Sequence, residues 1–129
     1  MTESGARYRN LAVWQHAHRL VIDLYRVSRS FPSEERYGLT SQLRRAASSI
    51  AMNLAEGASV ESPGSYAVSV DHALRSAGEV DYQLLLARDL GYLDSEAYRR
   101  FAEEIRCIRA MLAKLYRAVK RLPRATSAL

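Results

Sequence analysis

The stretch Ser62–Gly91, "SPGSYAVSVDHALRSAGEVDYQLLLARDLG", decides the fold. Its residues Tyr66, Val70, Ala73, Ala77, Val80, Leu84 and Ala87 recur in alternating steps of four and three, the spacing that stacks side chains on one face of an α-helix. Ser62 followed by Pro63 reads as a cap and a first-turn proline, and Gly91 as the stop. This helix carries more apolar surface than one core can take. Successive helical residues point about 100° apart, so Leu84, Leu85 and Leu86 cannot share a face. With Val70, Ala77 and Leu84 inward, Ala67, Leu74, Gly78 and Leu85 line a second face, and Val68, Tyr82 and Leu86 a third. A helix apolar almost all round is normally buried all round, which predicts that copies of the chain cover it for one another. The expected homo-oligomer interface is Val68, Leu74, Gly78, Tyr82, Leu85 and Leu86.

Upstream, "YGLTSQLRRAASSIAMNLAEG", Tyr37 to Gly57, presents Leu39, Leu43, Ala46, Ala47, Ile50 and Leu54 on one helical face, with Gly57 as a natural stop. Its polar residues Gln42, Arg45, Ser49, Asn53 and Glu56 also fall at steps of three and four and form a continuous stripe. His72, Ser76, Glu79 and Gln83 make a similar stripe on the next helix. The two seams are expected to meet: Arg45 pairs with Glu79 or Glu56, while Asn53, Ser49, Ser76 and Gln83 exchange hydrogen bonds. Such a network sets which helices pack and in what register.

The first helix is expected from a cap at Asn10 to about Ser30, burying Val13, Trp14, Ala17, Leu20, Val21, Leu24, Tyr25 and Phe31, and ending at Phe31-Pro32. The fourth starts at Asp94 or Ser95 and aligns Phe101, Ile105, Ile108, Leu112, Leu115, Val119 and Leu122 before Pro123. No run of alternating β-branched residues competes with the helical period. The predicted fold is all-α, an antiparallel up-down-up-down four-helix bundle over residues 10–122, with loose tails at 1–9 and 123–129.

The chain has 129 residues, one domain's worth. Its apolar runs fall far short of the roughly 20 residues needed to span a bilayer, and its start lacks the apolar core of a signal peptide. A lone Cys107 permits no internal disulfide and agrees with a reducing compartment, so a cytoplasmic protein is expected. Nineteen basic side chains, nearly all arginine, face fourteen acidic ones for a net charge of +5. The excess is concentrated. From Ile105 to Arg124 there are seven basic residues and no acidic one. Arg99, Arg106, Arg109, Arg117, Lys120 and Arg124 form an expected ridge for nucleic-acid phosphates, with few aromatics to read bases.

Nothing in the sequence points to catalysis, a cofactor or a metal. His16 and His18 lie two apart on a helix and face nearly opposite ways, His72 is on another helix, and Cys107 has no adjacent helper. Phosphate-binding glycine loops, zinc motifs and nucleophile elbows are missing from the sequence.

The segments "LAVWQHAHRLVIDLY", "FPSEERYGLTSQLRRAASSIAMNLAEG" and "SAGEVDYQLLLARDLGYL" together resemble the four-helix-bundle family first noticed as proteins encoded in intervening sequences of bacterial 23S ribosomal RNA genes. The accessory variability determinant of diversity-generating retroelements is similar. The resemblance covers Leu11 to Leu122 and rests on Trp14, Phe31, Pro32, Glu35, Tyr37, Gly38, Leu39, Gln42, Arg45, Ala46, Ser49, Ile50, Asn53, Glu56, Gly57, Ser76, Glu79 and Gln83. It implies a cyclic homopentamer with a central channel and a basic surface, and partners that include RNA or DNA and, for the retroelement branch, a reverse transcriptase. The segment after Gly57 lacks the basic residue often found there, and Arg75 stands where a small residue is usual. The expectation is therefore a non-enzymatic nucleic-acid-binding oligomer; the alternative is a protein adaptor, such as an accessory subunit of a reverse transcriptase.

Overall fold

Ser62 opens the longest helix by accepting a hydrogen bond from the Ser65 amide on its Oγ at 3.1 Å, with Pro63 in the first turn. The computed structural model describes residues 3–59 and 62–123. Four α-helices carry the fold: α1 Ala12–Val27, α2 Leu39–Ala58, α3 Pro63–Asp89 and α4 Ser95–Lys120. Short 3-10 helices occupy Glu3–Asn10, Ser28–Ser30 and Ser33–Glu35, and no strand occurs among the described residues. Helix α2 packs against α1 and α3, and α4 against α3 and α1, around one core. Val70, Ala73, Ala77, Val80, Leu84 and Ala87 of α3 are fully buried there, as the alternating spacing requires.

The punctuation of the chain follows the orphaned backbone groups at each helix end. Asp94 caps α4 by accepting from the Ala97 amide at 2.7 Å. At the end of α3, Gly91 takes φ +83°, its amide bonds to the Arg88 carbonyl at 2.9 Å, and the Tyr92 amide to the Ala87 carbonyl at 2.8 Å. This paired closure needs a left-handed residue, which glycine supplies without a Cβ penalty. At the end of α1, the Ser28 and Ser30 hydroxyls donate to the Tyr25 and Val27 carbonyls.

Several local expectations are corrected. Asn10 does not cap α1; it ends the first 3-10 helix, and Leu11 flanks α1 without a side-chain cap. Of the expected N-terminal tail, residues 1–2 lie outside the described residues and 3–9 belong to that 3-10 helix, whose Tyr8 ring meets Trp14 edge-on at 5.0 Å and whose Arg9 carbonyl accepts from Gln15 at 2.7 Å. Of the expected C-terminal tail, residues 124–129 lie outside the described residues. Gly57 does not stop α2 but lies inside it, buried. A Cβ there would fall 2.9 Å from both the Ser69 Cβ and the Tyr66 ring, so its smallness sets how closely α2 and α3 approach. Tyr25 and Leu122, expected in the core, are exposed.

Candidate nucleic-acid interface

Helix α4 carries Arg99, Arg106, Arg109, Arg117 and Lys120 on its solvent side, all exposed; Arg124 lies outside the described residues. The expected ridge is partly neutralised. Arg106 pairs with Glu103 on its own helix, and Arg109 reaches across to Asp81 of α3 at 3.1 Å. The second pairing was invisible along α4 because its acid comes from a neighbouring helix. Exposed pairs of this kind contribute only about 0.2–1 kcal/mol, so a phosphate can compete for either arginine. Among the described residues, Arg99, Arg117 and Lys120 pair with no carboxylate.

A second basic surface, not anticipated as a binding site, forms where α1 ends and α2 begins. Tyr25, Arg36, Tyr37, Thr40, Ser41, Arg44 and Arg45 line an open concavity of about 430 Å³. The connection over residues 28–38 brings Arg36 and Tyr37 beside the first turns of α2 and the last turn of α1. Arg44 fastens the corner: its Nε donates to Ser28 Oγ at 2.8 Å, a terminal nitrogen donates to the Tyr25 carbonyl at 3.1 Å, and its guanidinium lies 4.7 Å from the Tyr25 ring centroid. Tyr25 thus leaves the core to sit under a cation. Arg36 lies 5.5 Å from the centroid of Tyr37, a ring 86% exposed. Among the described residues no carboxylate pairs with Arg29, Arg36, Arg44 or Arg45. The sequence signal was present in the Arg44-Arg45 pair and in the tyrosines at 25 and 37, but their convergence needs that connection.

The polar seam assembles between α2 and α3 through the expected Ser49, Asn53 and Ser76, but without the expected parts of Arg45 and Gln83. Ser76 Oγ donates to Ser49 Oγ at 2.9 Å, and Asn53 Nδ2 donates to the Ser49 carbonyl at 2.8 Å and to its Oγ at 3.0 Å. Arg45 pairs with neither Glu79 nor Glu56 among the described residues, and Gln83 Oε1 is buried without a hydrogen-bond partner. Gln42, Arg45, Ser49, Ser76, Glu79 and Gln83 instead line a cavity of about 290 Å³, while Glu56 is exposed near the end of α2.

The α3 face expected between copies is divided. Val68 and Tyr82 are 55% and 60% exposed. Leu74 and Leu86 are half-buried and pack on the bundle's own core, Leu85 and Gly78 are half-buried, and Ala67 is buried. Part of the surplus is therefore absorbed within one copy. Beside Tyr82, a concavity of about 560 Å³ is lined by Leu39, Gln42, Arg75, Gly78, Glu79, Gln83 and Leu86 as well.

His16, His18 and His72 are exposed, with His18 stacked 4.9 Å from Trp14, and Cys107 is exposed. Among the described residues no cluster of three or more His, Cys, Asp or Glu could hold a metal, and no helix is long and apolar enough to cross a membrane. Two carboxyls are displaced in opposite directions. The Leu39 amide and then the Tyr92 hydroxyl hold Glu35 below its ordinary value, whereas burial and then Asp23 push Glu104 up against the opposing pull of Arg100, Arg19 and His16.

Comparison with known proteins places these features in context. The sequence model of the family described as 23S rRNA-intervening sequence protein matches residues 9–114. A crystal structure of a protein of unknown function from the S23 ribosomal protein family of Bacteroides thetaiotaomicron superposes with a TM-score of 0.76 at 20% identity, covering 81% of this chain and 95% of that one. At that identity the likeness concerns the fold. No curated protein matches the sequence.

Proposed function

We propose, for a chain that belongs to the 23S rRNA-intervening sequence protein family, a non-enzymatic role: an up-down-up-down helical bundle that assembles with copies of itself and binds RNA or DNA through its basic surfaces. The observation that carries this reading is the placement of cations without carboxylate partners, Arg99, Arg117 and Lys120 on α4 and Arg29, Arg36, Arg44 and Arg45 at the α1–α2 corner, among the described residues of a chain with net charge +5. Arginine's planar fork suits phosphate better than lysine's point charge, and cations left without local acids are available to neutralise phosphates and release the counterions condensed on the nucleic acid.

The proposed assembly repeats each basic patch. The outward Val68 and Tyr82 of α3, flanked by Leu74, Gly78, Leu85 and Leu86, are the proposed contact between copies. A closed ring of five is what the family resemblance implies, and cyclic closure satisfies such a face with a single gene product.

The test is a salt titration of RNA binding at equilibrium. Log affinity falls linearly with log salt, by about 0.7 to 0.9 per phosphate contact. Arg117→Glu with Lys120→Glu removes two contacts and lowers that slope by roughly 1.5 or more, without breaking an ion pair of the fold. A wild-type protein that ignores RNA and DNA at low salt ends the proposal. Recovery of a protein partner, for instance a reverse transcriptase, that survives nuclease and high salt favours the adaptor role instead.

A further inference from the structure

We propose that the α1–α2 corner is a site for single-stranded nucleic acid, in which an unpaired base stacks on the Tyr37 ring while neighbouring phosphates lie among the guanidinium groups of Arg36, Arg44 and Arg45. This rests on the nucleic-acid reading above and names the class of strand that this corner takes.

The corner combines two features that the α4 ridge lacks. The first is an exposed aromatic ring among cations. Tyr37 is 86% exposed, so the bundle gains little from its bulk, and the Arg36 guanidinium lies 5.5 Å from its ring centroid. An aromatic ring offers any base a sequence-tolerant stacking surface. The second is preorganisation. Arg44 is held by Ser28 Oγ, the Tyr25 carbonyl and the Tyr25 ring, so ordering it on a ligand costs little further side-chain freedom. Those two bonds use its Nε and one terminal nitrogen, leaving further N–H groups to donate. Thr40 and Ser41, in the first turn of α2, complete the wall, and the positive end of that helix dipole adds to the arginine charge.

The concavity also continues in both directions. Arg36, Thr40 and Arg44 are shared with an adjoining hollow of about 230 Å³ that reaches Arg29 and Ser33. Arg45 is shared with the seam cavity between α2 and α3. A path lined by Arg29, Arg36, Arg44 and Arg45 in turn suits an extended backbone, and Glu79 is the one carboxylate along it among the described residues. A duplex hides its base faces in its own stack, so Tyr37 discriminates in favour of unpaired strands.

The experiment measures anisotropy of a labelled oligouridylate of about 12 nucleotides, and of a duplex RNA of the same length, against wild type, Tyr37→Ala, Tyr37→Phe and Arg36→Gln. Because Tyr37 is exposed, the helical melt is expected to stay unchanged. Tyr37→Ala weakens the single strand by roughly 5- to 140-fold, the equivalent of about 1–3 kcal/mol of stacking. The duplex changes less than about twofold, and Tyr37→Phe restores single-strand affinity. Arg36→Gln lowers the single-strand salt slope by roughly 0.7. If wild type binds both RNAs and Tyr37→Ala leaves single-strand affinity unchanged, this site is overturned and the general nucleic-acid reading survives. If wild type binds neither RNA nor DNA at low salt, both fall. Displacement of the oligonucleotide by equimolar AMP overturns the strand in favour of a free nucleotide, and displacement by poly-glutamate of equal charge overturns it in favour of an acidic protein segment.

Discussion

Glu35 holds two loops of the bundle together with one carboxylate. Its Oε1 accepts from the Leu39 amide at 2.9 Å, supplying the start of α2 with the acceptor that Gly38 cannot offer, and its Oε2 accepts from the Tyr92 hydroxyl at 2.8 Å. Tyr92 also packs on Phe31 at a centroid distance of 5.4 Å, and the closure at Gly91 positions it there. Gly38 belongs to the same arrangement, since a Cβ on it would come within 2.8 Å of Glu35 Oε1. Both bonds favour the ionised carboxylate and hold it below its ordinary value of 4.5, and the Tyr92 hydroxyl is pushed up by the same contact. The folded chain therefore binds this proton less readily than the unfolded one. The resulting stabilisation is fully present above the ordinary carboxylate value and is lost as pH falls through the lower folded value. Glu35→Gln, which keeps an acceptor for Leu39 but cannot ionise, is expected to flatten the acid limb of the stability profile. Thermal melts of wild type and variant, compared at neutral pH and below pH 4.5, check this: the difference between them narrows as the medium is acidified.

Among the elements, α2 and α3 pack against each other most extensively. Their close approach is made by Gly57 and by small neighbours such as Ser69, and farther along by the Ser49–Ser76 hydroxyl pair. Gly57→Ala poses two opposing effects. Alanine raises helix propensity by about 1 kcal/mol over glycine, but its Cβ would meet Ser69 Cβ and the Tyr66 ring at 2.9 Å. Overpacking of this kind costs about 1–3 kcal/mol, and neither contacted atom is the free end of a flexible chain, so the clash wins. A net destabilisation of up to about 2 kcal/mol is expected in urea unfolding, with an unchanged m-value. An equal or more stable variant would mean that the two helices can part without cost.

At the scale of the whole molecule, α3 leaves part of its apolar surface uncovered. Val68 and Tyr82 look outward from α3, whereas Leu74 and Leu86 already pack on the core. The pair to alter is therefore Val68→Glu with Tyr82→Glu, because charges at the half-buried leucines would also disturb the fold. The expected result is a folded, smaller species by light scattering, with the helical content of wild type. Weaker RNA binding should accompany it, since each assembly then presents fewer basic patches and loses avidity. An unchanged mass would remove the α3 face as the contact between copies.

What the sequence by itself determined was whatever depends on periodicity and on chemistry within a few residues. The face Val70, Ala73, Ala77, Val80, Leu84 and Ala87, the cap at Ser62, the choice of Asp94 or Ser95 for the α4 cap, the closure at Gly91 and the four-helix class all follow from 3.6 residues per turn and from unpaired backbone groups at helix ends. What only the tertiary structure decided was everything that needs two distant segments at one place. Asp81 took Arg109 from the ridge, Gly57 became a contact instead of a stop, and Tyr25 left the core for Arg44. Tyr37 joined Arg36, Arg44 and Arg45 in one concavity. The physical reason is range: helix formation is governed by neighbours three and four residues away, while pairing of charges and shaping of cavities depend on distances in space that the one-dimensional pattern does not carry.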